Sequence, residues 1–171
     1  MSAVSAGRNI LISVLFIFLG GPALTLVLVP YWITRFRIAP LEPQWQVVLA
    51  SGLILFGLAP LFESALRFVR VGLGTLVPAA PPERLVITGL YRYLRNPMYA
   101  GVLVSIAGEA ILFRSEDIFI YLAAAWLVSH LFVCLYEEPT LARRYGQHYA
   151  FYKRHVPRWL PRFRPWHGVP E

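Results

Sequence analysis

Charge is scarce in this chain. Of its 171 residues 15% are charged, against about 25% in an ordinary soluble domain. So few charges do not cover the surface of a soluble domain of this length. Disorder is excluded as well, since it needs low hydrophobicity and high net charge. Cysteine is nearly absent. Cys134 stands alone, which excludes an internal disulfide framework and a cysteine-rich zinc site. His130, His148, His155 and His167 do not form a close metal-ligand cluster, so no metal is expected. No internal repeat and no low-complexity segment is present.

What is abundant is apolar. The hydrophobic fraction is 57% and the mean hydropathy is +0.57. A bilayer core of about 30 Å needs roughly 20 apolar helical residues. Four runs meet or approach that length: Asn9 to Ile33, Trp45 to Phe68, Tyr99 to Phe113, and Ile118 to Tyr136. The first exceeds the roughly 7–15 residues of a signal-peptide core, and Gly20-Gly21-Pro22 predicts a kink midway. The third is about 22 Å long at the helical rise. With the fourth it reads as a helical hairpin turning at Arg114-Ser115-Glu116-Asp117. The expected fold is an all-α integral membrane protein of about four transmembrane helices.

The net charge of +7 could suggest nucleic acid, but in an apolar chain a basic surplus reports orientation and anionic lipid. With four spans, 13 Lys/Arg fall on the side of both termini and of the loop from Val69 to Pro97, and three on the other. Both termini are therefore expected to be cytoplasmic, with Arg35 and Arg37 on the unfavoured side. The chain divides into N-terminal helices over 1–68 and a second region over 69–171. In that region the loop is rich in Gly72, Gly74, Pro78, Pro81 and Pro82. After Tyr136 the stripe Leu141, Tyr145, Tyr149, Tyr152 predicts one amphipathic helix, either lying in the interface or covering a site. The prolines of Val156-Pro157-Arg158-Trp159-Leu160-Pro161-Arg162 then force a non-helical strap.

The groups able to do chemistry are few. Asn96-Pro97 is a helix start, with Asn capping and Pro at the first position. A helix N-terminus there offers free N–H groups to a carboxylate or phosphate, and Arg95 reinforces it; the plainer alternative is a cap with interfacial anchors. Glu137-Glu138-Pro139 places two carboxylates at a membrane boundary, fit for a cationic ligand or for pairing with Arg143 or Arg144. Glu63 and Glu109 lie inside spans, where ionisable groups are costly. Glu63 faces a site or pairs with Arg67, and Glu109 pairs with Arg114. His130, also in a span, is expected to pack or to bond between helices. Gly72-Leu73-Gly74 lacks the third glycine of a dinucleotide fingerprint.

Taken in order, Gly89-x-Tyr91-x-x-x-Arg95-Asn96-Pro97-x-Tyr99-x-Gly101, a short hairpin, Glu137-Glu138-x-x-Leu141, Tyr149-x-x-Tyr152 and Val156-Pro157-Arg158 resemble the isoprenylcysteine carboxyl methyltransferase family and the related phospholipid methyltransferases. The resemblance covers roughly Gly74 to Arg162. It implies an integral-membrane enzyme that moves a methyl group from S-adenosylmethionine to a lipophilic acceptor at the cytoplasmic face. It implies further that loop, hairpin and tail hold the cofactor without a Rossmann fold. Carried over residue by residue, Leu85, Val86 and Tyr91 lie along the cofactor. Asn96, Pro97, Met98 and Tyr99 form the turn around it, and Glu137 faces its amino-acid end or ribose. Glu137 and Arg95 are the expected catalytic pair, with Glu63, Glu138 and Arg158 around the acceptor. The chain departs from the family pattern in two places. Asn96 stands where histidine is common, which removes a general base there. Val133 stands where the carboxyl methyltransferases place a substrate-binding arginine, which argues against a prenylcysteine carboxylate as acceptor.

Two other readings stay open on the residues. A sterol-reductase-type membrane enzyme would bind NADPH through Arg92, Arg143 and Arg144. A non-enzymatic membrane scaffold would have lost the cofactor pocket. The expected partners are the bilayer and a lipid-soluble acceptor, with no nucleic acid.

Overall fold

The computed structural model describes residues 21–35, 37, 43–71 and 85–168, with backbone alone for 65–71. The start of the first apolar run, its Gly20, the Arg67 side chain and the loop glycines and prolines lie outside the described residues. Among those described, every regular element is helical. In chain order they are α1 (Gly21–Thr34), α2 (Gln44–Val71), a 3-10 turn (Gly89–Arg92), α3 (Pro97–Phe113), α4 (Glu116–Phe132) and α5 (Glu138–His155). Two stretches, Gln44–Ser64 and Glu116–His155, are long and apolar enough to cross a membrane. α1 and α3 are apolar but shorter. The fold is that of an all-α membrane protein.

Two prolines shape the helices. Pro30 has no N–H, so the carbonyl of Leu26 one turn back loses its helical partner. The helix widens into a π turn over Leu24–Leu28, in which Val29 N–H reaches Leu24 O, and the Tyr121 hydroxyl donates to Thr25 O at 3.0 Å. Pro139 does the same between α4 and α5. A π turn occupies Val133–Glu137, and Glu138 N–H donates to Val133 O. Helical backbone therefore continues from Glu116 through the π turn as far as Tyr145, and resumes after a break at Gly146 up to His155. The stretch up to that break alone is longer than the bilayer core. The uncharged apolar part ends at Tyr136, so Glu137 and Glu138 stand at its end.

α2 and α3 are antiparallel and touch backbone to backbone. A Cβ built on Gly57 would sit 2.4 Å from Gly101 O, and one on Gly101 2.4 Å from Gly57 O. One turn on, Ser105 Oγ donates to Ile54 O at 3.3 Å, and Gly108 lies against the Ala50 carbonyl. Small residues allow this approach, which replaces the missing hydrophobic drive between helices in lipid. The hairpin of α3 and α4 turns on two residues, fewer than the four expected. Arg114 takes a left-handed conformation and the Ser115 side chain caps α4 by accepting from Ile118 N–H. Glu116 and Asp117 are already in the helix. Ile106, Ala110 and Ile118 form the core between α3 and α4.

The amphipathic stripe after the span does not lie on one helix. At Gly146 the backbone turns to φ 53°, ψ −125°, a conformation that a side chain would oppose. The bend brings Tyr149, Tyr152 and Val156 together as a buried cluster, with Leu85, Ile87, Leu141, Tyr145 and Trp166 packed on it. This part of the tail covers the loop before α3. Pro157 then ends the helix, and the strap from Val156 to His167 runs antiparallel to the segment before Pro97. Arg95 N–H donates to Pro157 O at 2.9 Å, Arg162 N–H to Tyr93 O at 3.0 Å and Trp166 N–H to Arg92 O at 3.0 Å.

Candidate functional site

The π turn before Pro139 sets the two acidic residues on different partners. Glu137 turns toward α3, where its Oε2 accepts from the Tyr99 hydroxyl at 3.1 Å. Glu138 turns toward the loop and strap and meets three cations. Arg95 Nη1 is 2.7 Å from its Oε1, Arg158 Nε is 2.6 Å from the same oxygen, and Lys153 Nζ is 2.7 Å from Oε2. Arg158 Nη2 adds a second bond to Oε2 at 3.0 Å. The expected pairing with Arg143 or Arg144 is not formed. The bend at Gly146 and the turn at Pro157 bring Lys153 and Arg158 to the carboxylate instead.

These surroundings push the two acids apart. Burial by itself would raise the pKa of Glu138, but hydrogen bonds from Arg158 and Lys153 and the charges of Arg95 and Arg158 outweigh it and bring it to about 2. Glu137 moves upward. Burial is the main cause, the Tyr99 hydroxyl works against it, and the charge of Glu138 adds to it. Glu138 is a saturated structural anion. Among the described residues Glu137 has a phenol and no cation beside it.

Each expected site residue has a place around this pair. Tyr91, in the 3-10 turn, is fixed by Tyr152 Oη, which donates to the Tyr91 carbonyl at 2.7 Å. Burial pushes its phenol above the ordinary tyrosine range, the Ser64 hydroxyl works against that, and the charges of Glu137 and Glu63 add to it. Tyr91 thus lies between Glu137 and the end of α2 that carries Glu63. Leu85 packs in the tyrosine cluster and Val86 beside it is half-buried. Pro97 is fully buried at the start of α3, and Met98 is half-buried next to it. Asn96 occupies the N-cap position but its side chain does not cap. Its Nδ2 donates to Arg158 O at 3.1 Å, so it ties the strap to the helix start. Arg95, besides Glu138, donates to Tyr149 Oη at 3.3 Å. Glu109 is buried in α3 and its Oε2 has no hydrogen-bond partner, so the expected pairing with Arg114 does not engage that oxygen.

Sequence reasoning missed an aromatic group on the other side of Glu137. Trp159 of the strap stands edge-on to Tyr99, with ring centroids 6.5 Å apart. Its Nε1–H donates to His130 Nδ1 at 3.1 Å, and His130 stacks on Trp126 as well. Cys134 Sγ lies 3.6 Å from His130 Nε2. The i, i+4, i+8 spacing of Trp126, His130 and Cys134 was readable as one helix face, but nothing local in the sequence brings Trp159 to it. No group of three or more metal-ligating side chains occurs among the described residues.

The arrangement suits a cationic ligand held beside Glu137 under a ceiling of phenols and indole. A family model described as phospholipid methyltransferase matches residues 45–148, more than half of the chain, from the start of α2 into the first part of α5. The strap lies beyond that match. A comparison with curated proteins finds no match.

Proposed function

The chain belongs to the phospholipid methyltransferase family, and from that premise we propose that it transfers a methyl group from S-adenosylmethionine to a lipid-soluble acceptor at the cytoplasmic face of its membrane. The observation that carries the reading is the contrast between the acids. Glu138 is satisfied by three cations, whereas Glu137 is half-buried, is raised toward its neutral form and lacks a counter-charge among the described residues. A positively charged ligand supplies that charge and returns Glu137 to its ionised form. S-adenosylmethionine carries both an ammonium and a sulfonium, so the residues fit it.

When bound, the cofactor supplies a methyl group on a good leaving system, and the protein's part is alignment. Glu137 holds the cationic side, with Tyr99 fixing its carboxylate. Tyr91 lines the same space, and Leu85 and Val86 give the loop side an apolar surface. Glu138 binds no substrate in this reading. It fastens Arg95, Lys153 and Arg158, and so closes tail over loop and keeps water from the site. The acceptor arrives sideways from lipid, consistent with the exposed apolar faces of α2 and α4. The four-span arrangement with cytoplasmic termini rests on the arginine asymmetry. Residues 69–171 carry most of the site, with Glu63 from the first region at its edge.

Calorimetric titration of the purified protein with S-adenosylhomocysteine and with NADPH tests this. We expect binding of the first only, and a roughly tenfold or greater loss in Glu137→Gln with the fold retained by circular dichroism. An isotherm with NADPH alone, or unchanged affinity in the variant, overturns the reading.

A further inference from the structure

His130 is in the span, yet it takes part in the closure of the tail. An indole N–H only donates, so the 3.1 Å contact from Trp159 Nε1 requires an unprotonated Nδ1 on His130. The neutral ring then carries its proton on Nε2, where Cys134 Sγ lies at 3.6 Å. Trp126 and Trp159 stack on the ring at centroid distances of 5.3 and 6.2 Å and fix its plane. Trp159 is in turn linked to both site carboxylates at one remove. It adjoins Arg158, which holds Glu138, and stands against Tyr99, which holds Glu137.

We propose that His130 is a positioning residue for the acid pair: by accepting the Trp159 proton it holds the strap closed over Tyr99, Glu137 and Glu138, and it does so only while its Nδ1 is unprotonated. A second proton sets two donors face to face and breaks the contact. The groups around the imidazole do not reverse this. On its own helix are the Cys134 thiol and, further on, Glu137 and Glu138. The strap contributes Arg158, whose charge repels an imidazolium, and α3 contributes the neutral Tyr99 behind Trp159. Strap closure therefore weakens once the imidazole takes up a second proton, because the indole N–H then faces a donor. The effect on ligand binding rests on the cofactor reading above, while the strap motion does not.

The test uses the full chain in detergent, with S-adenosylhomocysteine as probe, at pH 7.5 and 5.5. If the open strap does not bind, affinity in the wild type falls roughly tenfold between the two. His130→Asn keeps an acceptor at the Nδ1 position that does not titrate, and Trp159→Phe keeps the ring without the N–H. In both, the fall between the two pH values is clearly smaller than in the wild type, what remains being the protonation of Glu137 itself. Equal affinity of the wild type at both pH values, or the full loss retained in His130→Asn, overturns the proposal. Hydrogen exchange reads the strap without any ligand. At pH 5.5 the amides of Arg162 and Trp166 exchange faster in the wild type than in His130→Asn. Equal exchange overturns the proposal, even where the probe fails to bind and the cofactor reading falls.

Discussion

Arg95 and Glu138, 43 residues apart in the chain, meet at 2.7 Å with the guanidinium side chain only 9% exposed. This pair joins the loop before α3 to the start of α5. Lys153 and Arg158 then draw the tail onto the same carboxylate.

Replacing Glu138 by Gln leaves Arg95 buried without its counter-charge. Loss of one partner of a buried pair costs about 3–5 kcal/mol, and the exposure of Lys153 moves this case to the lower end. Thermal unfolding in detergent should show a clear fall in midpoint. The neighbouring Glu137→Gln should leave that midpoint nearly unchanged, because no cation depends on it among the described residues.

The same carboxylate gives a pH signature. Its pKa is lowered on folding to about 2, so its contribution is fully present above its unfolded value of about 4.3 and is lost as the pH falls through 2. Acid titration of stability should show a decline in that window which Glu138→Gln lacks.

The contact of Gly57 with Gly101 leaves no room for a side chain. Gly101→Val drives methyl groups into the Gly57 carbonyl and Pro60. Separation of α2 from α3 should cost about 1–3 kcal/mol or more, read as a lower unfolding midpoint. Gly52, where an added Cβ would have nothing within 4 Å, serves as the control: Gly52→Ala should be neutral or slightly stabilising.

Glu109 makes the opposite case to Glu138. Its Oε2 is buried without a hydrogen bond. Glu109→Met should be neutral or stabilising by about 1–3 kcal/mol, since removing an unsatisfied polar group relieves its desolvation. A strongly destabilised variant would show that the carboxylate has a partner in the folded protein.

Much of the site was legible before the structure. Asn96-Pro97 did begin a helix, Glu137 and Glu138 did stand at the end of an apolar run, and the prolines after Val156 did end the tail helix. The partners were not legible. Asn96 looked like a side-chain cap and instead binds the strap, because Arg158 O comes within reach only after the tail folds back. Arg143 and Arg144 looked like the natural partners of Glu138 by proximity in sequence. The kink at Gly146 gives that role to Lys153 and Arg158. Pro139 was the one overlooked local signal: a proline just past a span widens the helix behind it and separates the directions of two adjacent acids.

The sequence by itself determined the medium and the elements. Apolar length, scarce charge and proline and glycine positions are local properties, and they dictate helices, lipid and helix ends without any tertiary contact. The tertiary structure decided which carboxylate meets three cations and which meets only a phenol among the described residues. That choice depends on charge meeting charge across the fold, and Coulomb energy is set by distance in space and by burial, neither of which the order of residues contains.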